Sequence, residues 1–135
     1  RWQLAGKGGW PSFTDAFISL GSAAGKRIMR KPMALQIRPN CECCDKDLPP
    51  ESTEARVCSY ECTFCADCVD TKLMNVCPNC GGGFTPRPIR PSQPLKAPWW
   101  LGDHPASTKR VHSHKDLDAH REFAVKIKDV DPHSR

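Results

Sequence analysis

The apolar residues near the start of the chain predict one short helix and no membrane span. The helix pattern covers residues 13–20, and Ser12 with Asp15 gives the Ser-x-x-Asp signal that often begins a helix. Ser19 and Gly21 interrupt the apolar stretch, so it falls short of the roughly 18–20 apolar residues that cross a membrane. Neither a membrane segment nor a secretory leader is therefore expected.

A second helix pattern lies in the tail, residues 107–135, and covers about 115–128. Ser113 followed by Asp116 gives the same kind of start signal. Four apolar residues share part of one face of this helix, namely Leu117, Phe123, Ala124 and Ile127. The tail is thus expected to contain one helix that packs by one side.

Prolines separate the tail from the centre of the chain. They recur every two to four residues as Pro86, Pro88, Pro91, Pro94 and Pro98. Since proline lacks a backbone donor, residues 86–106 are predicted to form an extended strap. The Trp99-Trp100 pair within this strap is expected to fold back over the central region rather than to anchor a partner.

The central region, residues 33–85, is rich in cysteine. All nine cysteines of the chain lie between positions 41 and 80. Apolar residues make up 39% of the chain, which predicts a thin core, and small domains with thin cores need disulfides or metal. The odd number of cysteines and the lack of a leader pattern favour metal. A soluble, cytoplasmic protein is expected, because thiols stay reduced there.

The formal charge of +5 does not indicate a nucleic-acid-binding protein, because the charge is concentrated at one end. Residues 1–32 carry six basic side chains and one acidic side chain, whereas the remainder carries 14 of each. Met33 lies just before the cysteines, so we expect the working protein to start near it. Residues 1–32 are then a poorly ordered basic extension, with an acid-poor targeting segment as the alternative.

The cysteines form four close pairs, which is the pattern of two metal sites. In order the spacing is Cys41-x2-Cys44-x13-Cys58-x3-Cys62-x2-Cys65-x2-Cys68-x8-Cys77-x2-Cys80. A short gap lets one turn present two sulfurs to a single ion, and two such pairs complete the tetrahedron that zinc accepts. The pattern predicts two structural zinc ions, since four protein ligands leave no open position for catalysis.

Loop lengths favour an interleaved pairing of these close pairs. Joining neighbours in order leaves loops of 13 and 8 residues, whereas joining the first pair to the third and the second to the fourth leaves loops of 20 and 14. The longer loops agree better with the roughly 12–20 residues of two-knuckle zinc sites. One ion is then held by Cys41, Cys44, Cys65 and Cys68, and the other by Cys58, Cys62, Cys77 and Cys80.

One cysteine and the five histidines fall outside this scheme. Cys43 lies inside the first close pair and is expected to be a small side chain of the turn or an alternative ligand to Cys44. A reactive thiol is the other interpretation of Cys43. The histidines all lie beyond the cysteines and are expected to be solvated, with a weak third metal site at His112-x-His114 as the alternative.

The cysteine order resembles that of RING domains, whose two zinc sites are cross-braced, with Cys at all eight positions. Phe64-Cys65 is similar to the aromatic-Cys step of that fold, residues 69–75 to its short helix, and Cys77-Pro78-Asn79-Cys80 to its final knuckle. The resemblance implies a small zinc-stabilised α+β fold of the RING-like or treble-clef type.

A closer resemblance is to the small bacterial proteins catalogued as domain of unknown function 1272. It rests on Arg38-Pro39-Asn40-Cys41-Glu42-Cys43-Cys44, Glu61-Cys62-Thr63-Phe64-Cys65 and Cys77-Pro78-Asn79-Cys80-Gly81-Gly82. The resemblance is strong over residues 35–92 and weaker over 105–112. Members begin shortly before the Arg-Pro-Asn-Cys motif, which agrees with a start near Met33. The function of the family is not established, so this resemblance implies a fold and not a role.

The sequence favours a binding protein over an enzyme, because it contains no catalytic constellation. The first hypothesis is a non-enzymatic zinc module that binds another protein, with a possible regulatory role. The second is a RING-like adaptor for a ubiquitin-like ligase reaction. Pro78 and Leu73 match the carrier-binding positions of RING domains, but Asp45 and Gly81 depart from them.

Nucleic-acid binding is the weakest hypothesis. Residues 33–97 hold seven basic and eight acidic side chains. Eight thiolates with two divalent ions add −4, which takes this region from −1 to about −5. Phosphate binding needs clusters of positive charge, so a protein partner is expected instead.

Overall fold

The computed structural model of the protein describes residues 34–113 and 116–135. The expected start at Met33, the basic extension with its helix at 13–20, and His114 lie outside these residues. Within the part of the chain that is described, no helix is both long and apolar enough to cross a membrane.

Three short strands form an antiparallel sheet. β1 (Ala55–Val57) pairs with β2 (Thr63–Cys65), and β3 (Thr85–Pro86) pairs with the other edge of β1, so the order is β2-β1-β3. All three residues of β2 are buried. Pro86 is accommodated because it lies on an edge strand, where its missing N–H breaks no ladder.

Helix α1 (Ala66–Thr71) follows β2 without a loop, because Cys65 caps it. The backbone of Cys65 is extended, and its sulfur accepts a hydrogen bond from the Cys68 N–H over 3.5 Å. Met74 adopts a left-handed backbone (φ 52°), which prevents the helix from continuing. The helix therefore begins and ends earlier than the 69–75 predicted from the RING resemblance, since the cysteine cap sets its start.

The buried core is built as much from sulfur as from hydrocarbon. Eleven buried residues form one cluster, and six of them are cysteines. Its large apolar side chains are Leu48, Phe64 and Leu73, and Phe64 packs edge-on against Phe84 with ring centroids 5.3 Å apart. The small α+β architecture predicted from the sequence is confirmed, and its core is thin in hydrocarbon.

A buried arginine of the strap braces this core through backbone carbonyls. The guanidinium of Arg87, a residue only 4% exposed, donates hydrogen bonds to the carbonyls of Arg38 (2.8 Å), Leu48 (3.1 Å) and Pro49 (2.7 Å). Burial lowers the pKa of Arg87, because a charged group loses hydration there. The carbonyl oxygens replace the lost water and hold the loop before β1 against the strap.

The strap is less extended than its prolines predict. The guanidinium of Arg90 donates to the carbonyls of Leu35 (2.6 Å) and His104 (2.7 Å), so the strap is tied to the start of the described chain. The Leu101 N–H donates to the Pro91 carbonyl over 2.9 Å, which folds the second half of the strap back on the first. Turns form there because the amides between the prolines find carbonyl partners.

The two tryptophans of the strap have different environments. Trp99 is 56% exposed, and its ring stacks on His104 with centroids 5.5 Å apart. Trp100 lies so close to Gly102 that a Cβ atom there would be 2.3 Å from the indole ring. Both tryptophans help to line a cavity of about 230 Å³ together with residues 34 and 35.

Helix α2 (Leu117–Ile127) lies within the range 115–128 predicted from the sequence. Its N-cap is Asp116, whose Oδ1 accepts hydrogen bonds from the N–H groups of Asp118 (3.0 Å) and Ala119 (3.1 Å). Ser113 lies before the helix and makes no cap, because the carboxylate of Asp116 already accepts from the first free amides.

The apolar face of α2 is only partly used. The buried residues of the helix are His120 and Ala124, whereas Leu117 and Phe123 of the predicted face are 36% and 44% exposed. Phe123 still contacts the end of the cysteine-rich region, since a Cβ atom on Gly81 would lie 3.4 Å from its ring. The helix therefore covers the last cysteine turn with one edge of its face.

Replacing Arg87 with alanine is expected to lower the free energy of unfolding by about 3 kcal/mol or more, because three carbonyls lose their donor at about 1–3 kcal/mol each. Denaturant unfolding measures the change. The control is Arg121→Ala on the exposed side of α2, which should stay within about 0.5 kcal/mol of the parent. Equal stability of the parent and Arg87→Ala would contradict the bracing role.

Candidate metal centre

A tight turn, residues 41–46, holds the first close pair of cysteines and is called here the first knuckle. The Cys41 N–H donates to the Lys46 carbonyl over 2.8 Å, and the Asp45 N–H donates to the Cys41 carbonyl over 2.9 Å. Asp45 has a φ of 60°, a left-handed conformation that aspartate adopts more readily than most residues. The turn thereby delivers the sulfurs of Cys41 and Cys44 from one short stretch of backbone.

The first cysteine group consists of Cys41, Cys44, Cys65 and Cys68, whose sulfur atoms all lie within 4.8 Å of one another. Cys65 ends β2 and Cys68 lies in the first turn of α1. The Sγ atoms of Cys44 and Cys65 are 3.7 Å apart. A tetrahedral ion with metal–sulfur bonds of about 2.3 Å places its sulfurs about 3.8 Å apart, so this group is able to hold a metal ion.

The second cysteine group consists of Cys58, Cys62 and Cys77, whose sulfurs also lie within 4.8 Å of one another. Cys58 and Cys62 begin and end the loop between β1 and β2, and the Cys58 N–H donates to the Cys62 carbonyl over 3.2 Å. Glu61 closes this loop with a φ of 62°. The amide of Asn79 donates to the Cys62 sulfur over 3.2 Å, a contact that stabilises negative charge on that sulfur.

Cys80 lies outside the second group, although the sequence assigns it there. It is exposed and belongs to the final knuckle, residues 77–82, which is closed by hydrogen bonds from the Gly81 N–H to the Cys77 carbonyl and from the Cys77 N–H to the Gly82 carbonyl, each 2.8 Å. Gly81 has a φ of 75°, which favours glycine. The structure thus brings together seven of the eight predicted ligand residues.

The two groups interleave along the chain, so the predicted cross-brace arrangement is confirmed. The first group takes the first and third close pairs, and the second takes the second close pair and Cys77. β2 connects the groups directly, because Cys62 precedes it and Cys65 ends it. Three residues of strand at about 3.3 Å each fix the separation between the groups.

Burial makes most of the grouped thiols weak acids. It is the largest cause of the raised pKa values of Cys62, Cys65, Cys68 and Cys77. Cys44 differs, since burial raises its pKa but the Lys46 N–H and the neighbouring thiols lower it by more. Thiols of this kind ionise when a cation lies among them, because the positive charge offsets the lost hydration.

Cys43 belongs to neither group. It is half-buried, packs against the core cluster, and has a pKa that burial raises. A thiol in such a setting is a poor nucleophile, which favours the interpretation of Cys43 as a small side chain of the turn. Among the described residues no histidine joins either group, and His112 instead places its Nε2 atom 3.2 Å from the Cys43 carbonyl oxygen.

A buried carboxylate that cysteine spacing does not reveal connects the first knuckle to β2. Glu42 is 3% exposed, and its carboxylate forms an ion pair with Arg38 and accepts the Thr63 N–H over 3.0 Å. The Glu42 N–H donates to the Thr63 carbonyl over 2.9 Å. The sequence does contain an oppositely charged residue, Arg38, four positions before Glu42. An exposed ion pair has the same spacing, so this signal does not indicate that the carboxylate is buried.

The tail also contacts the first knuckle. Residues 107–113, called here the docked segment, lie alongside residues 37–42 in the same direction. The Ser107 N–H donates to the Ile37 carbonyl over 2.9 Å, and the Ser113 N–H donates to the Glu42 carbonyl over 3.0 Å. The wall of the first knuckle is thus formed partly by a stretch of chain far away in sequence.

Serine substitutions at neighbouring positions test the assignment of Cys44 over Cys43. Cys44→Ser should cost the protein one metal ion, because it removes a sulfur of the first group. Cys43→Ser should retain the metal content of the parent. Native mass spectrometry counts the ions, and loss of an ion from Cys43→Ser alone would show that Cys43 is the ligand.

Comparison with known proteins agrees with the resemblance seen in the motifs. The model of the family described as "Protein of unknown function (DUF1272)" matches residues 34–90. An uncharacterized protein of Rhizobium meliloti (strain 1021) is 57% identical over 77 residues, which are 57% of this chain and 84% of that relative. No solved structure matches the chain. The chain therefore belongs to the DUF1272 family.

Proposed function

We propose that the protein is a non-enzymatic module held together by two zinc ions and that it acts by binding another protein. The observation that carries the proposal is the interleaving of two groups of cysteine sulfurs. Sulfur-only sets suit zinc, which accepts tetrahedral thiolates and has no redox chemistry.

In this proposal each ion has four cysteine ligands. The first group supplies Cys41, Cys44, Cys65 and Cys68. The second supplies Cys58, Cys62 and Cys77, with Cys80 as the fourth ligand. Cys80 follows Cys77 in the same knuckle and is exposed, so its side chain is free to turn toward the group without unpacking the core.

Metal binding also supplies the stability that this core lacks. Structural zinc contributes about 10–16 kcal/mol in zinc-finger peptides at neutral pH. Here cysteines make up six of the eleven core residues. Zinc converts the thiols whose pKa values burial raises, those of Cys62, Cys65, Cys68 and Cys77, into thiolates whose charge is offset by the ion.

The elements around the first group support a treble-clef assignment. A knuckle, a hairpin and a helix follow one another, and the candidate ligands come from the knuckle, from Cys65 at the end of the hairpin and from the first turn of α1. Sites closed by four protein ligands are structural, whereas a catalytic zinc keeps an open position. A binding role follows more readily from such sites than an enzymatic one.

Exposed apolar side chains of the strap support a protein partner. Leu95 is 84% exposed, Ile89 54% and Trp99 56%, and residues of this part of the strap line a second cavity of about 550 Å³. Aromatic and aliphatic side chains that stay exposed in this way are typical of binding surfaces.

The charges support a protein over a nucleic acid. Arg87 and Arg90 donate to backbone carbonyls inside the structure, so neither guanidinium is available to phosphate. Arg38 is paired with Glu42. The net charge of about −5 expected for residues 33–97 with zinc bound would also repel phosphate. We place the module in the cytoplasm, where thiols stay reduced.

The RING-like adaptor has less support. Asp45 stands where carrier-binding RING domains have an apolar residue, and it is paired with Arg110 of the docked segment. Gly81 stands where they have a basic residue and is covered by Phe123. Both departures weaken the surface that a carrier enzyme would contact.

The metal assignment predicts two zinc ions per chain in the parent and one in Cys80→Ser, by elemental analysis of protein purified without added metal. A strong chelator should unfold the parent, because the thiols lose the ion that stabilises them, and added zinc should refold it. Two ions in Cys80→Ser would remove Cys80 from the site. A native fold that persists after all metal has been removed would contradict a structural role for zinc.

The binding role predicts that immobilised zinc-loaded protein captures a defined protein from a bacterial lysate treated with nuclease. Leu95→Ser is the test variant, since the Leu95 side chain is 84% exposed and its loss leaves the core intact. Capture should fall at least severalfold for Leu95→Ser at unchanged zinc content. Equal capture by both baits would show that the exposed strap is not the binding surface.

A further inference from the structure

The groove that holds the docked segment recognises peptide backbone through a buried side chain. Asn40 is fully buried, and its amide contacts a single residue of the segment at two points. Nδ2 donates to the Val111 carbonyl over 2.9 Å, and Oδ1 accepts the Val111 N–H over 3.2 Å. Such a two-point contact reads the backbone of an extended peptide, whatever side chain that residue carries.

The next contact selects for arginine. The guanidinium of Arg110 donates to the carboxylate of Asp45 over 2.9 Å and to that of Asp47 over 2.6 Å. It also donates to the Asp45 carbonyl over 2.8 Å. The planar, forked guanidinium fits two carboxylates and a carbonyl at once, which the single ammonium of lysine does not reproduce.

The docked segment occupies this groove without becoming part of the core. None of residues 107–113 is buried, and the Arg110 side chain is 46% exposed. Exposed ion pairs contribute about 0.2–1 kcal/mol each. The segment is therefore held by polar contacts at the surface, and removing it leaves the buried apolar residues in place.

We propose that this groove is a binding site for an extended, arginine-containing peptide of another protein, and that the docked segment covers the groove until such a peptide displaces it. The inference rests on the proposed function, because zinc orders the first knuckle, which contains Asp45 and is flanked by Asn40 and Asp47. The acidic rim of the groove complements a basic peptide.

The docked segment acts as a cover of the groove, and its own affinity for the groove determines how tightly a peptide of another protein binds. A segment on the same chain competes at an effective concentration in the millimolar range, so the parent binds an added peptide weakly. A change that weakens only the cover raises the fraction of open grooves and tightens binding by the same factor. In a chain whose cover is already weakened, a change that removes the carboxylates of the groove lowers the affinity for the peptide instead.

The probe is a labelled nine-residue peptide with the sequence of 105–113, and the protein is the full, zinc-loaded chain. Arg110→Ala should bind this peptide roughly threefold to tenfold more tightly than the parent, since it removes the exposed ion pairs of the cover. Lys109→Ala is the matched control and should bind like the parent, because the Lys109 side chain is exposed and, among the described residues, forms no hydrogen bond or ion pair. Adding Asp45→Asn and Asp47→Asn to Arg110→Ala should weaken binding of the peptide by a similar factor, because the peptide then loses the same ion pairs.

The same peptide with alanine in place of its arginine should bind Arg110→Ala roughly threefold to tenfold more weakly than the arginine peptide does. In the parent, saturating peptide should speed hydrogen exchange of the Val111 and Ser113 amides, because the docked segment is released. Equal affinity of the parent and Arg110→Ala, or exchange of the segment between two copies in a dimer, would overturn the proposal. Zinc content measured on each sample separates such a result from failure of the zinc module itself.

Discussion

The gathering of seven cysteine sulfurs into two groups, with six of the seven residues buried, is the constraint on which the rest of the structure depends. The core cluster contains more cysteines than other residues, so hydrocarbon packing alone gives it little stability. Burial also keeps most of these thiols from ionising. The first knuckle, the loop between β1 and β2 and the start of α1 each bring sulfurs into these groups, and the few large apolar residues fill the space between them.

Arginine side chains solve a second problem of a small, loop-rich fold. Loops leave backbone carbonyls without partners, and the six-residue α1 and the eleven-residue α2 supply few regular hydrogen bonds. Arg87 donates hydrogen bonds to three such carbonyls and Arg90 to two. The strap is therefore a structural part of the module, and the family match, which ends at residue 90, includes both arginines.

The sequence was sufficient to predict which cysteine pairs come together, because loop lengths restrict the pairing. It did not predict that the Cys80 side chain is exposed and outside the group in this structure, since spacing says nothing about the direction of a side chain in a knuckle; its assignment as fourth ligand stays a prediction. The start of α1 was missed because cysteine is not among the usual capping residues. The bracing role of Arg87 was not predicted, since an arginine among prolines has the same local pattern whether it is buried or solvated. The docked segment joins residues about 70 positions apart, a distance at which local patterns carry no information.

The shortness of β2 has a consequence for how proteins of this kind diverge. Side chains alternate between the two faces of a strand, so one inserted residue between Cys62 and Cys65 would turn Cys65 away from its group. Residues 50–53 of the loop before β1 are not buried and have no such restriction, because doubling the length of a flexible loop costs only about 0.6 kcal/mol. Insertions and deletions among relatives should therefore accumulate in that loop and be absent from the interval between Cys62 and Cys65. That interval is the natural reference point for aligning distant members whose overall identity is low.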